Sequence, residues 1–204
     1  MLKKLSTSFA QSLPARPKKR ASASSLENNM REIQVSELKA AAPSLKCGEE
    51  ILLTGTVYTA RDAAHKRFFA ALDNGDSLPI PIENAVIYYC GPTPAPEGLP
   101  IGSAGPTTSK RMDKFAPRLY DMGMVATIGK GERSDEVIDA IKRNKALYLC
   151  ALGGTGAICA KAVKECTVAA YGELGCESVK ILKVEKLPLF VACDTEGNCI
   201  YPKF

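Results

Sequence analysis

Glu50-Ile-Leu-Leu-Thr-Gly-Thr-Val-Tyr-Thr59 runs through Ala60 into Arg61-Asp-Ala-Ala-His-Lys-Arg-Phe-Phe-Ala-Ala-Leu72. Ile51, Leu53, Val57 and Tyr58 supply β-prone side chains and predict a strand. The second segment is free of Gly and Pro and predicts a helix with Asp62 as its N-cap. A strand that ends where a helix begins is the repeating step of an α/β domain, and the chain takes that step again. Ala85 to Cys90, Met124 to Ile128 and Ala146 to Leu152 read as apolar strands, and helical segments are predicted up to Met122, over Ser134–Arg143 and from Gly153-Gly-Thr-Gly156 to about Cys166. Ser134–Arg143 places acids in its first turn and bases in its last, as the helix dipole favours. Arg31, Ile33 and Val35 alternate as in a short edge strand, and Ser36 to Ala42 reads as a helical turn or two before Pro43. Val179–Val184 and Leu187–Cys193 read as two further strands, and Asp194–Asn198 as a turn before a short C-terminal strand. The expected fold class is α/β.

The composition excludes several classes of function. Lys and Arg total 27 against 22 Asp and Glu, but six of the bases (Lys3, Lys4, Arg16, Lys18, Lys19, Arg20) precede the first acid, Glu27. The remaining 21 bases face 22 acids, so the body is near neutral and a nucleic-acid surface is not expected. No apolar run approaches the roughly 18 residues of a membrane-spanning helix, so no membrane partner is expected. The eight cysteines, at 47, 90, 150, 159, 166, 176, 193 and 199, never form C-x-x-C, and His65 is the one histidine. That spacing predicts no metal site in this chain and reduced, mostly buried thiols in an intracellular protein.

Residues 1–29 are basic, rich in Ser and Ala, and broken by Pro14 and Pro17, and they are set apart from a domain over 30–204. Three readings stay open for them: an organellar transit peptide, a disordered tail, or a leader preceding a true start at Met30. The expected location is cytoplasmic, or a mitochondrial or related organelle matrix if the transit reading holds.

Ligands in open α/β sheets gather beyond the carboxyl ends of strands. Three such junctions carry cations or hydroxyls: Thr59-Ala-Arg61, the Gly/Pro-rich loop ending in Thr107-Thr-Ser-Lys-Arg111, and Gly129-Lys-Gly131. Together they predict an anion pocket. His65, inside the helix after Arg61, reads as a packing residue. Gly129-Lys-Gly131 lacks the spacing of a phosphate-binding P-loop, and Gly153–Ala157 is not a dinucleotide fingerprint.

Thr54-Gly-Thr-Val-Tyr-Thr-Ala-Arg-Asp-Ala-Ala-His-Lys-Arg67, Tyr89-Cys-Gly-Pro-Thr-Pro94, Ile101-Gly-Ser-Ala-Gly-Pro-Thr-Thr-Ser-Lys-Arg-Met-Asp113 and Ile128-Gly-Lys-Gly131 occur in that order. In order and spacing they resemble the β subunit, or C-terminal domain, of the class I fumarate hydratase and L(+)-tartrate dehydratase family. The resemblance spans residues 31–204. It implies a swivelling β/α/β domain with a mixed sheet flanked by helices, and an iron–sulfur hydro-lyase interconverting fumarate and (S)-malate. It further implies a separate α subunit holding a [4Fe-4S] cluster, and an αβ heterodimer that dimerises again. By resemblance Thr107 takes the position of the catalytic base, Arg61 and Arg111 those of substrate-carboxylate cations, Lys130 that of a dicarboxylate-binding lysine, and Thr108 that of a substrate contact. Two alternatives stay open, an L(+)-tartrate dehydratase β subunit forming oxaloacetate and a non-catalytic anion-binding module of the same fold.

Overall fold

The computed structural model describes residues 30–151 and 156–201. The readings made for residues 1–29 and for the Gly153–Thr155 turn lie outside the described residues. The chain runs β1 (Arg31–Gln34), a 3-10 turn, α1 (Leu38–Ala41), β2 (Glu50–Thr59), α2 (Asp62–Asp73), β3 (Val86–Tyr88), a 3-10 turn (Ser109–Met112) and α3 (Ala116–Asp121). It continues through β4 (Ala126–Gly129), α4 (Asp135–Asn144), β5 (Leu147–Cys150), α5 (Gly156–Ala162), β6 (Val163–Ala170), a 3-10 turn (Gly172–Glu177) and β7 (Val179–Cys193). The fold is mixed α/β, a seven-stranded sheet flanked by helices, in the order β1-β2-β3-β4-β5-β7-β6.

Strands β1 to β5 pair in parallel, as the crossover helices between β2, β3, β4 and β5 require. Strand β7 runs antiparallel to β5 and β6 and also along nearly the whole of β2. The pairings therefore close a ring, β2-β3-β4-β5-β7 and back to β2, with β1 and β6 outside it. Alternate side chains of each buried strand enter two separate cores. Val86, Tyr88, Leu147 and Leu149 pack with Leu38, Ile51 and Leu53 in one. Ile87, Tyr89 and Tyr148 pack with Phe68, Leu119, Val137 and Ile141 of the helices in the other.

Several local expectations are corrected. Asp62 is the first residue of α2 rather than its cap, and Arg61 holds the N-cap position without a capping side chain. Helix α5 stops at Ala162, and the residues expected to continue it form β6, because β7 offers them a full antiparallel edge. The two strands expected over 179–193 are one, and the gap between them is a bulge. Leu53 pairs with Leu187 and Gly55 with Val184, so residues 185 and 186 loop out, with Lys186 at φ 52°. The expected C-terminal strand is only an isolated bridge between Cys193 and Cys199. Those two cysteines form a disulfide, against the expectation of reduced thiols, and the other six are not disulfide-bonded.

The Gly/Pro-rich loop is ordered by its own backbone. Thr93 and Ser103 exchange hydrogen bonds, Thr93 N–H to Ser103 O at 3.0 Å and Ser103 N–H to Thr93 Oγ1 at 2.7 Å. Gly129, at the end of β4, lies against the buried Ser109, and a Cβ there would stand 2.0 Å from Ser109 Oγ and 3.1 Å from the Tyr89 ring. Gly129→Ala is therefore an overpacking change of about 1–3 kcal/mol. We expect the thermal midpoint to fall by roughly 3–10 °C by calorimetry, and an unchanged midpoint would show that the Ser109 turn yields without cost.

Candidate active site

The three parallel strands β2, β3 and β4 end together. Ala60 N–H donates to Tyr88 O at 3.2 Å, and Tyr89 N–H to Ile128 O at 2.8 Å. Arg61, Tyr89 and Lys130 consequently leave the sheet along one edge. The segment 106–109 returns to that edge and extends it: Thr107 N–H donates to Tyr89 O (2.6 Å), Lys130 N–H to Thr107 O (3.3 Å), and Ser109 N–H to Lys130 O (2.9 Å). Thr108 and Lys130 form a parallel bridge. Both backbone polar groups of Thr107 are thus tied, which holds its half-buried side chain at a defined position.

The arginines are tied to the same turn. Arg111 N–H closes the 3-10 turn onto Thr108 O at 3.4 Å, and its Nη2 pairs with Asp62 Oδ2 at 2.8 Å. Arg61 lies 4.0 Å from Asp62 Oδ1 through Nε and pairs with Glu177 Oε1 through Nη2 at 2.9 Å. All five residues singled out from the sequence, Arg61, Thr107, Thr108, Arg111 and Lys130, are therefore brought to one edge by a continuous run of contacts. Partial burial alone would raise the Asp62 carboxyl, but a backbone hydrogen bond and the two arginines outweigh it and hold its pKa below the usual carboxylate range. Arg111 is half exposed, so its pair with Asp62 is worth at most about 1 kcal/mol and leaves the guanidinium open to another carboxylate. Lys130 is exposed and, among the described residues, forms no ion pair.

His65 is fully buried beneath Arg61. Its Nδ1 lies 2.7 Å from Arg61 O, so Nδ1 carries the proton, and its ring stacks on Phe115 with centroids 5.5 Å apart. Burial lowers its pKa to about 4, with the nearby Arg133 charge acting in the same direction and the Arg61 carbonyl opposing.

The sequence reading missed four contributors. Asp62 reads as a cap from sequence, although its position beside Arg61 is a usable signal. Glu177 carries no such signal, because it reaches Arg61 from the far end of the chain. Arg133 and Asp113 look like ordinary surface charges in sequence, yet they form an ion pair of 2.7 Å with the guanidinium wholly enclosed. Among the described residues no group of three or more His, Cys, Asp or Glu side chains comes together to hold a metal, so these residues do not fit an iron–sulfur cluster.

The family model described as Fumarase C-terminus matches residues 1–204. Fumarate hydratase 2 of Leishmania major is 36% identical over 204 residues, covering 99% of this chain and 36% of that protein. The aerobic class I fumarate hydratase of Escherichia coli K12 is 37% identical over 166 residues, 80% of this chain and 30% of that protein. A Methanocaldococcus jannaschii protein assigned by name as an L(+)-tartrate dehydratase subunit beta is 36% identical over 163 residues, 77% of this chain and 84% of that protein. The chain spans about a third of the length of the fumarate hydratases it matches.

The depressed His65 pKa carries a stability prediction. The unfolded state binds a proton below pH 6.5 and the folded state only near pH 4, so stability is full above 6.5 and falls as the pH drops through that window. The total is about 3 kcal/mol at 1.36 kcal/mol per pH unit. Thermal melts at half-unit steps should show this decline in the parent and a flatter curve in His65→Phe. Parallel curves would exclude His65 as the source.

Proposed function

The chain belongs to the Fumarase C-terminus family, and from that premise we propose that it is the β subunit of a hydro-lyase that interconverts fumarate and (S)-malate. The observation that carries the reading is the single sheet edge that joins Arg61, Arg111 and Lys130 to Thr107 and Thr108 through a run of backbone contacts and ion pairs. Two carboxylates on a four-carbon substrate need cations at two separated points, and this edge offers two guanidinium groups and an ammonium that forms no ion pair among the described residues.

In the dehydration direction Thr107 removes a proton from the carbon next to a carboxylate. Negative charge then spreads into that carboxylate, and cations already in place stabilise it more than they stabilise the ground state. Lys130 is bonded through its backbone to Thr107 and lies beside Thr108. The cations gathered at this edge favour the ionised form of the Thr107 hydroxyl and make a weak base a usable one. Asp62 and Glu177 orient the arginines before substrate arrives.

Among the described residues no group of three or more His, Cys, Asp or Glu side chains offers cluster ligands, and we assign a [4Fe-4S] cluster to a partner α subunit, where it would supply Lewis-acid chemistry. The relative named as a subunit beta, most of whose length this chain covers, supports a two-chain enzyme, here an αβ pair that dimerises again. The same relative favours L-tartrate as the second substrate to be tested.

The test is anaerobic co-expression with the cluster-bearing partner and assay of fumarate, (S)-malate and L-tartrate. Turnover of malate above tartrate is expected; turnover of tartrate alone would move the assignment to the dehydratase, and none on any would overturn it. In the active complex, Thr107→Ala should lower kcat by about 100-fold or more with assembly intact. Arg61→Ala should mainly raise KM, by roughly 10- to 100-fold, for loss of a charge-assisted contact.

A further inference from the structure

We propose that Arg133 and Asp113, the ion pair enclosed beneath the candidate site, are positioning residues that set the placement of Thr107 and Lys130; the inference rests on the proposed function. The Arg133 side chain is 0% exposed and that of Asp113 9%. Arg133 Nε donates to Asp113 Oδ1 at 2.7 Å, and Asp113 Oδ2 accepts Ser134 N–H at 2.7 Å, just before α4. One carboxylate therefore joins the end of the Thr107–Met112 segment to the stretch that follows Lys130. Arg133 Nη1 donates to Thr127 Oγ1 of β4 at 3.0 Å, which fixes the strand that delivers Lys130.

The guanidinium lies between two tyrosine rings, 5.5 Å from the centroid of Tyr89 and 4.9 Å from that of Tyr148. Each tyrosine also holds a piece of the site. Tyr89 O receives Thr107 N–H. Tyr148 has a single hydroxyl proton, which it donates to Gly131 O at 2.8 Å, so at 2.9 Å Ser109 Oγ–H must donate to Tyr148. Four independent contacts of one buried cation thus end on the backbone that carries Thr107, Thr108 and Lys130. A lysine could not reproduce them, since the planar fork serves Asp113 and Thr127 at once while its faces meet the rings.

A pair that served only stability would behave differently on removal. A buried ion pair is often replaceable by neutral groups at little cost, whereas loss of one partner strands the other's charge. The variants are therefore Arg133→Met, which strands the Asp113 carboxylate, and Asp113→Asn with Arg133→Met, which removes both charges and keeps the acceptor for Ser134. In the αβ complex the double variant should regain most of the thermal midpoint lost by the single variant. Its kcat should stay down on the order of 100-fold, because small displacements of a reacting group carry that penalty. Arg133→Lys should recover only part of kcat.

A double variant whose kcat lies within roughly threefold of the parent would overturn the inference. If the parent complex is itself inactive, the proposed function fails instead, and amide exchange on the full chain decides this point. Thr107, Ser109 and Lys130 should exchange about tenfold faster in the double variant while the β1–β2 ladder is unchanged, and equal rates at those three amides would overturn the inference.

Discussion

Parallel register at one end of the sheet is the constraint on which the rest depends. Ala60 bonds to Tyr88 and Tyr89 to Ile128, so β2, β3 and β4 deliver their last residues side by side. Helices that cover a parallel sheet leave it at that same end, which makes the edge the one place where loops converge without burying unpaired backbone. The segment 106–109 uses this by adding itself to the ladder through Tyr89 and Lys130. A loop of that length would otherwise carry Thr107 on a floppy tether. Here the hydroxyl sits on what is in effect an extra residue pair of the sheet.

Charge is arranged in two layers around that edge. In the outer layer Arg61 and Arg111 share Asp62, and Glu177 takes the remaining reach of Arg61. These pairs are partly exposed, so their strength is modest and an incoming carboxylate can compete for the same guanidinium groups. The inner layer, Arg133 with Asp113, is enclosed, and solvent and salt screen it much less. Soft pairs above and a hard pair below give a site whose cations can change partners while its backbone keeps its place.

How much of this was legible in the sequence follows from which interactions are local. Strand β2 and helix α2 are written in consecutive residues, and so are the acids and bases at the two ends of α4. The cations and hydroxyls at three strand ends were also visible, because topology alone brings such ends together. The first residues of β6, 163–166, read as helix from sequence because their pairing partner lies beyond them in the chain and they have no local period to reveal an edge. The bulge at Lys186 was read as a break for the same reason, since only the register against Leu53 and Gly55 makes 179–193 one strand. Glu177, Asp113 and Arg133 are charges whose meaning is set wholly by distant neighbours. The Cys193–Cys199 disulfide closes a turn that the sequence does mark, at Asp194–Asn198, but thiol spacing alone does not state an oxidation state.

The same geometry narrows which group of this chain can accept a proton. The chain has one histidine, and His65 is enclosed, neutral, and committed through Nδ1 to the Arg61 carbonyl. Its low pKa reflects its complete burial, which also keeps the ring from the surface of the edge above. Asp62 and Glu177 are committed to arginines through ion pairs, and those charges hold the Asp62 carboxyl below the usual carboxylate range. Asp113 is spent on Arg133 and Ser134. Tyr148 and Ser109 satisfy one another below the surface. What remains at the edge, among the described residues, is the pair of threonine hydroxyls beside an unpaired lysine. Of these two, Thr107 is the one whose backbone N–H and C=O are both fixed, which supports the proposal that it is the base, since a base must be held still to act at carbon.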